Sequence, residues 1–442
     1  MAGLLMMACC ACDKYLDIPP PDTQLPAEKV FSSETLANKA RAGMYADIMA
    51  GAGILNGMTT KYLALFGGEL NKSNIPGDSA FILHTLTADN KTVEAVWISG
   101  YKSIAEANAI IAGLAASMTI PEQTRARLSG DARFIRALIY FYMVNLFGDT
   151  PLVLGTDVEK TAVQPRAPIS DVYDQIIADL LEAQAVLPAF YGSSDFIPDN
   201  RVWASSRAAT ALLARVYLYL GRWADAAQQA SQLIEGPPFS LTAGISQVFL
   251  AGSNETIFQL SPIDGSAYNT QDGAYLLPPT GALPPPCMLS DSLLNAFEPG
   301  DARKVAWVKR TFVNGLPLYS PYKYKIYSSA PSYTEYNIVF RLAEQCLIRA
   351  EARAQLGNFA GALQDLNIVR SRAGLPALPA STTQSQLLQS VIQERRVELF
   401  VEWGHRWLDL KRTGYPLPAP RLWPIPAAQL LLNTRLTQNP GY

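Results

Sequence analysis

Glu394, Glu398, Glu402, His405 and Asp409 form the densest set of side chains in the chain that could move protons or hold a metal. Glu398, Glu402, His405 and Asp409 recur at intervals that place some of them on one face of a helix, predicted over residues 386–412. Acid–base work needs a carboxyl whose pKa is poised near the working pH. Arg395, Arg396, Arg406, Lys411 and Arg412 are interleaved with these groups and neutralise them. The pattern therefore predicts a structural ion-pair network that packs Trp403 and Trp407 against neighbouring helices. Glu402-Trp403-Gly404-His405 is not a zinc helix motif, having one histidine and the wrong spacing, and His84 is the chain's only other histidine. No nucleophile elbow and no phosphate-cradling glycine loop occurs. No enzymatic reaction, metal or cofactor is expected.

Other elements must hold that stretch. Residues 340–374 read as two helices folded back on each other, with Gly357 where a helix end can turn left-handed and Ala350, Ala352, Ala354 and Ala362 allowing close backbones. The run from Gly357 to Leu363 aligns with that from Gly221 to Ala227. Upstream of the latter, Leu213, Ala214 and Tyr217 fit the first helix of a tetratricopeptide (TPR) unit, and Gly221, Trp223 and Ala226 fit its turn and second helix. In the other copy Arg349 and Arg353 stand where Leu and Tyr would. Hairpins of this kind, near 206–234 and 340–374, bury their apolar faces only against neighbours. Their separation in sequence argues against a simple tandem solenoid.

The 442 residues carry a net charge of −2, with 49% hydrophobic and 17% charged residues, a globular composition without the cationic excess that nucleic acid or a polybasic membrane surface requires. Before residue 234 the periodicity is helical throughout: Ser32-Ser33 opens a helix through Ala37, Ala40, Met44 and Ile48. Further helices follow around Trp97 to Ile111, over 125–147 and after Pro168. Residues 236–339 differ, with Pro237-Pro238, Pro278-Pro279 and Pro284-Pro285-Pro286 breaking any helix and 256–260 fitting only a short strand. Ordered inserts of this length on a rigid scaffold usually carry function. Tyr319, Tyr322, Tyr324, Tyr327, Tyr333 and Tyr336 crowd its end.

The first twelve residues are apolar or small and too short to span a bilayer, and they end in cysteines before a polar, proline-rich stretch. This resembles a bacterial lipoprotein signal, with Cys12 after Ala11 as the lipidated residue and Cys9 after Ala8 as a second candidate. A plain secretory signal is the alternative. A metal tract finds no second cysteine pair at ligand spacing, and Cys287 and Cys346 are the only other cysteines.

Several motifs, in order, resemble the SusD/RagB family of outer-membrane nutrient-binding lipoproteins. They are Cys12-Asp-Lys-Tyr-Leu-Asp17, Gly130-Asp-Ala-Arg-Phe-Ile-Arg-Ala137 leading to Phe147-Gly-Asp-Thr-Pro-Leu152, and Arg341-Leu-Ala-Glu-Gln-Cys-Leu-Ile-Arg-Ala-Glu-Ala352. Val369-Arg-Ser-Arg-Ala-Gly374, Glu394-Arg-Arg-Val-Glu-Leu399, Gly404-His-Arg-Trp-Leu-Asp-Leu-Lys-Arg412 and the ending Gln438-Asn-Pro-Gly-Tyr442 continue the series. The resemblance implies an all-α scaffold, a SusD-like α–α superhelix of TPR-like hairpins in one large domain with a long loop-rich insert. It divides the chain into a signal region 1–12, an extended tether 13–30 and a helical domain 31–442. It further implies a surface lipoprotein on the outer leaflet of the outer membrane. Such a protein captures oligosaccharides, or in some members peptides, and acts as the lid of a SusC-like TonB-dependent transporter. The TPR side is implied to face the transporter and the loop side the ligand; a TPR-type scaffold without a small ligand is the competing reading. Sugar binding needs flat aromatic faces for pyranose C–H surfaces and planar polar groups for hydroxyls. Asn71, Asp78 and Phe81 from the early loop, and Tyr268, Asn269 and Tyr275 from the insert, are the expected contacts. Trp97 and Tyr324 are expected to be framework.

Overall fold

The computed structural model describes residues 26–50, 53–191, 200–263, 265–278, 284–328, 333–416 and 420–442. The anchor Cys12, the signal region 1–12 and the tether as far as residue 25 lie outside them. Within the remainder of the expected tether, Ala27–Val30 is a helical turn, started by Lys29 and Val30 N–H groups donating to the Pro26 carbonyl.

Eleven helices carry the architecture. Helix α1 (Glu34–Met49) begins at Ser33, whose side chain accepts from the Leu36 N–H at 3.4 Å. It is followed by α2 (Thr59–Phe66), α3 (Lys91–Ala116), α4 (Glu122–Phe147), α5 (Ile169–Val186), α6 (Ser206–Tyr219) and α7 (Trp223–Ile234). After the insert come α8 (Leu342–Gln355), α9 (Phe359–Arg372), α10 (Gln384–Glu398) and α11 (His405–Arg412). From α3 through α10 they pack in succession, except that α4 meets α5 across a loop. Helix α4 lies at the centre: every residue from Phe134 to Phe147 is buried, so its sequence there is apolar on nearly every side, and its two strongly polar residues are bonded, Arg136 to Asp179 and Asn145 to the Tyr173 hydroxyl. The fold is all-α and TPR-like.

The two hairpins, α6–α7 and α8–α9, are neighbours in space although the insert separates them in sequence. Strand β2 (Thr256–Leu260), near the start of the insert, pairs antiparallel with β6 (Asn337–Arg341) at its end, Thr256 opposite Arg341, so the chain leaves and re-enters the stack at one place. Helix α8 then docks on α7. The atypical arginines serve that contact: Arg349 binds Asp365 of α9 at 2.7 Å and Glu235, just past α7, at 2.6 Å, and Arg353 joins the same Asp365 at 2.9 Å. The interrupted repeat is thus a continuous stack. Within it, Ala350, Ala352, Ala354 and Ala362 are fully buried, and Gly221 and Gly357 turn left-handed at φ 68° and 83°.

The insert is more ordered than its prolines suggest. Strand β1 (Leu70–Ser73) pairs antiparallel with β3 (Cys287–Leu289), and β4 (Val308–Val313) with β5 (Leu316–Pro321) around Asn314-Gly315, both at positive φ.

The charged stretch expected as one helix over 386–412 is two. Val401, Trp403 and Gly404 take φ of 49°, 48° and 73°, breaking the chain between α10 and α11. The break lets this segment press on α2: a Cβ on Gly404 would stand 2.2 Å from Leu63 Cδ1. The Trp403 N–H donates to Thr60 Oγ1 at 3.3 Å, and the Val401 N–H to Glu69 at 3.0 Å. The ion-pair network itself is present and buried. Arg303 binds Asp301, Glu394 and Glu398 at 2.8, 2.5 and 2.9 Å; Arg341 binds Glu398 and Glu402 at 2.5 and 2.8 Å; Arg372 closes on Glu255 and Glu398, and Lys323 on Glu402. Burial opposes charge on Glu398, but Arg372, Arg341 and Arg303 outweigh it and hold the carboxyl well below the usual range. His405 is pushed well below its usual pKa by burial and by Arg215 and Arg395, so it is neutral. Among the described residues no group of His, Cys, Asp and Glu has a metal-holding arrangement.

Candidate ligand-binding site

Two segments distant in sequence supply the candidate site. One runs from a π-helical turn at Ile54–Met58 through α2 and β1 to residue 83; the other is the insert around the short helix Gln271–Leu276. Helix α2 is buried on every side, yet it carries Lys61-Tyr62. Lys61 Nζ bonds Asp78 Oδ2 at 2.7 Å and lies 4.7 Å from the Tyr62 ring and 5.8 Å from the Tyr275 ring. Burial works against this cation, but the Asp78 hydrogen bond and the neighbouring groups overcome it and raise its pKa. Ser73 also donates to Asp78, and Cys287 lies 3.9 Å from both Ser73 Oγ and the Tyr275 carbonyl, tying β1 and β3 to the tyrosine-bearing helix. Burial pushes the Cys287 thiol up to about 11.

The Tyr275 ring is half-buried. Burial chiefly raises its pKa, with Tyr62, Asp272 and Tyr268 adding to the rise, so it is a neutral hydroxyl-bearing face. Half-buried Tyr268 meets half-buried Tyr327 edge to face at 5.5 Å. Asn71 and Lys72 are exposed on β1. Beneath Tyr275, Asp272 is buried without a cation, and burial pushes its carboxyl up to about 8, against the hydrogen bond from Thr60. The result is a cluster of three half-buried tyrosines, Tyr275, Tyr268 and Tyr327, beside the buried Lys61–Asp78 pair. It can stack on flat apolar faces and hydrogen-bond hydroxyls, and it holds no nucleophile–base pair.

Of the six residues expected as contacts, Asn71, Tyr268 and Tyr275 reach the surface. The other three do not. Phe81 is fully buried, its ring 4.5 Å from Tyr62 and 5.4 Å from Trp423. Asp78 is spent on Lys61 and Ser73. Asn269 is buried, its Oδ1 accepting from the Thr334 and Glu335 N–H groups at 2.7 and 3.1 Å, which fixes the chain leading out of the tyrosine-rich segment. They act as supports, because all three side chains are sealed from the surface. Trp97 and Tyr324 are buried framework. Lys61 escaped the sequence reading, although a lysine inside the apolar run 59–66 was the available signal, and Tyr327 stood out only as one of the tyrosines crowding the end of the insert.

Two SusD family sequence models match the chain. A SusD-like model described as starch-binding and associating with the outer membrane covers residues 14–218, and the SusD family model covers residues 307–418. A SusD-like protein of Formosa agariphila is 28% identical over 435 residues, 81% of this chain and 82% of that protein. A SusD superfamily protein from Parabacteroides distasonis has the same fold, with a TM-score of 0.79 at 22% identity over 95% of this chain and all of that one. A laminarin-binding SusD-like protein superposes with a TM-score of 0.77 at 24% identity, covering 93% of this chain and 100% of its own. The two matched segments together cover most of the chain, which belongs to the SusD/RagB family; the starch-binding, outer-membrane description is that of the model matching residues 14–218.

Proposed function

We propose that this chain is a cell-surface glycan-binding lipoprotein that captures oligosaccharides and delivers them to a partner SusC-like TonB-dependent transporter, over which it closes as a lid. Cys12 is its lipid anchor, residues 13–30 its tether and residues 31–442 one binding domain. It performs no reaction. The observation that carries the reading is the trio Tyr275, Tyr268 and Tyr327, half-buried rings gathered on a firmly packed support. Rings held at fixed height are what pyranose faces recognise, because little side-chain freedom is lost on binding. The starch-binding description of the model matching residues 14–218 and the laminarin-binding relative point to the same ligand class. No helix among the described residues is long and apolar enough to cross a membrane. In this proposal a lipid on Cys12 supplies the outer-membrane association.

The test is a binding screen of the chain from Asp13 onward against starch, laminarin, and plant, fungal and host glycans, with a mixed peptide pool beside them, by affinity electrophoresis and calorimetry. Glycan binding that Tyr275→Ala or Tyr268→Ala sharply weakens supports the reading. Binding of peptides alone assigns the chain to peptide uptake and overturns it.

A further inference from the structure

We infer that Gly57 is a positioning residue for Tyr275, setting the height of that ring and so deciding whether the tyrosine surface forms; the inference rests on the binding role proposed above.

The geometry is specific. Between α1 and α2 the chain makes a single π-helical turn, Ile54–Met58, whose Asn56 (φ −116°, ψ 71°) and Gly57 (φ 72°, ψ −24°) leave helical conformation. Short π segments of this kind recur at functional sites. A Cβ on Gly57 would stand 2.7 Å from Tyr275 Cδ2, 2.9 Å from Tyr275 Cε2 and 3.0 Å from Gln271 Cβ. One edge of the Tyr275 ring therefore rests on the glycine backbone, at a separation that no side-chain-bearing residue permits.

Neither partner is free to retreat. The turn is pinned by Asn56, whose amide donates to the Met49 carbonyl at 2.6 Å, and by the Thr59 hydroxyl on the Ile54 carbonyl. The tyrosine-bearing helix is pinned from the other side. Thr270 caps it by accepting from the Gly273 N–H at 2.9 Å, and Gly273 lies so close to the Ile326 carbonyl that a Cβ there would be 2.8 Å from it. With both backbones held, an added Cβ at position 57 drives the ring itself out of its seat. Gly57 thus seats the ring where the two sequence-distant halves of the site meet, alongside the Thr60–Asp272 hydrogen bond and the Lys61–Tyr275 approach.

The experiment compares Gly57→Ala, Tyr275→Ala, the double variant and Gly357→Ala, all in the chain from Asp13 onward. Each is titrated with the panel glycans that the wild type binds, and the Tyr275 ring resonance is followed by NMR on ring-labelled tyrosine. Gly357 is an apt control: it too is left-handed, at φ 83°, but a Cβ there meets nothing within 4 Å. Gly57→Ala should shift the Tyr275 resonance and weaken binding at least tenfold. The double variant should bind no worse than Tyr275→Ala alone, the coupling expected of two residues acting through one contact. Gly357→Ala should lose melting temperature and keep binding. Should Gly57→Ala fail to fold, Gly57→Asn, which tolerates the left-handed backbone yet carries the Cβ, takes its place. An unshifted resonance with wild-type affinity, or losses that multiply in the double variant, overturns the inference. If Tyr275→Ala leaves glycan binding intact, the binding role fails separately, and the ring resonance still decides whether Gly57 positions Tyr275.

Discussion

The arginine–glutamate layer under α10 and the tyrosine surface around Gln271–Leu276 are built from polar residues in opposite ways. Around Glu398, Arg303, Arg341 and Arg372 are closed on carboxylates and buried, so their charges hold the insert to the helical stack and present nothing outward. Around Tyr275, polar atoms of Lys61, Asp78, Ser73 and Asp272 are spent within the protein, and the tyrosine rings are left half-buried beside them. A dense set of chemistry-bearing side chains is here the mark of a scaffold. The sparse, half-buried aromatics mark the place where the molecule meets something else.

The comparison breaks most visibly at its strongest point. Glu398→Ala leaves three buried guanidinium groups short of a carboxylate and should cost about 3–5 kcal/mol of stability, read by urea denaturation. The molecules that remain folded should bind glycan normally; lost affinity in the folded fraction would show that the layer belongs to the site. Phe81→Ala sharpens the boundary from the other side. It should cost about 3 kcal/mol of stability as a cavity in the core, with affinity changed only through unfolding.

Asp272 gives the comparison a pH axis. Its carboxyl rises from the ordinary 3.8 to about 8 in the folded chain, mainly through burial. The native state therefore binds the extra proton. Stability from this group is greatest below pH 4 and declines as pH rises towards 8, with a slope of up to about 1.4 kcal/mol per pH unit. Asp272→Asn should flatten the fall between those limits, measured by denaturant midpoints across the range; an unchanged slope would mean that the group ionises freely. Tyr275→Ala comes next, costing about 2 kcal/mol of glycan affinity in calorimetry with little loss of stability. At the weak end, Lys102→Ala removes an exposed pair with Asp47 and should move stability by less than about 0.5 kcal/mol.

How much of this was legible in the sequence follows from the range of the interactions. The caps, the alanine-lined hairpins and the helix-breaking prolines are local, and Ser33, Gly221 and Gly357 stand where their residue types predict. The adjacency of α7 and α8 is not local. It depends on β2 meeting β6 across roughly eighty residues, and only the misfit arginines Arg349 and Arg353 hinted at a partner. The split between α10 and α11 was hidden because Val401 and Trp403 are poor choices for a left-handed backbone. Their conformation is imposed by contacts with Thr60 and Glu69, more than three hundred residues away in sequence. In the candidate site, residue type picked out two tyrosines, Tyr268 and Tyr275, that reach the surface. Burial, which separates Asn71 from Asp78 and Tyr275 from Phe81, depends on the partners each finds and is not written in the loop itself.

The most direct test of the central division is hydrogen-exchange mass spectrometry of the chain from Asp13 onward, with and without saturating glycan from the panel. New protection confined to residues 54–83, 265–278 and 322–328, with α8–α11 unchanged, is the predicted result. Protection gained on α8–α11 while those segments stay as they were would contradict the account, because the ligand would then sit on the charge-locked stack.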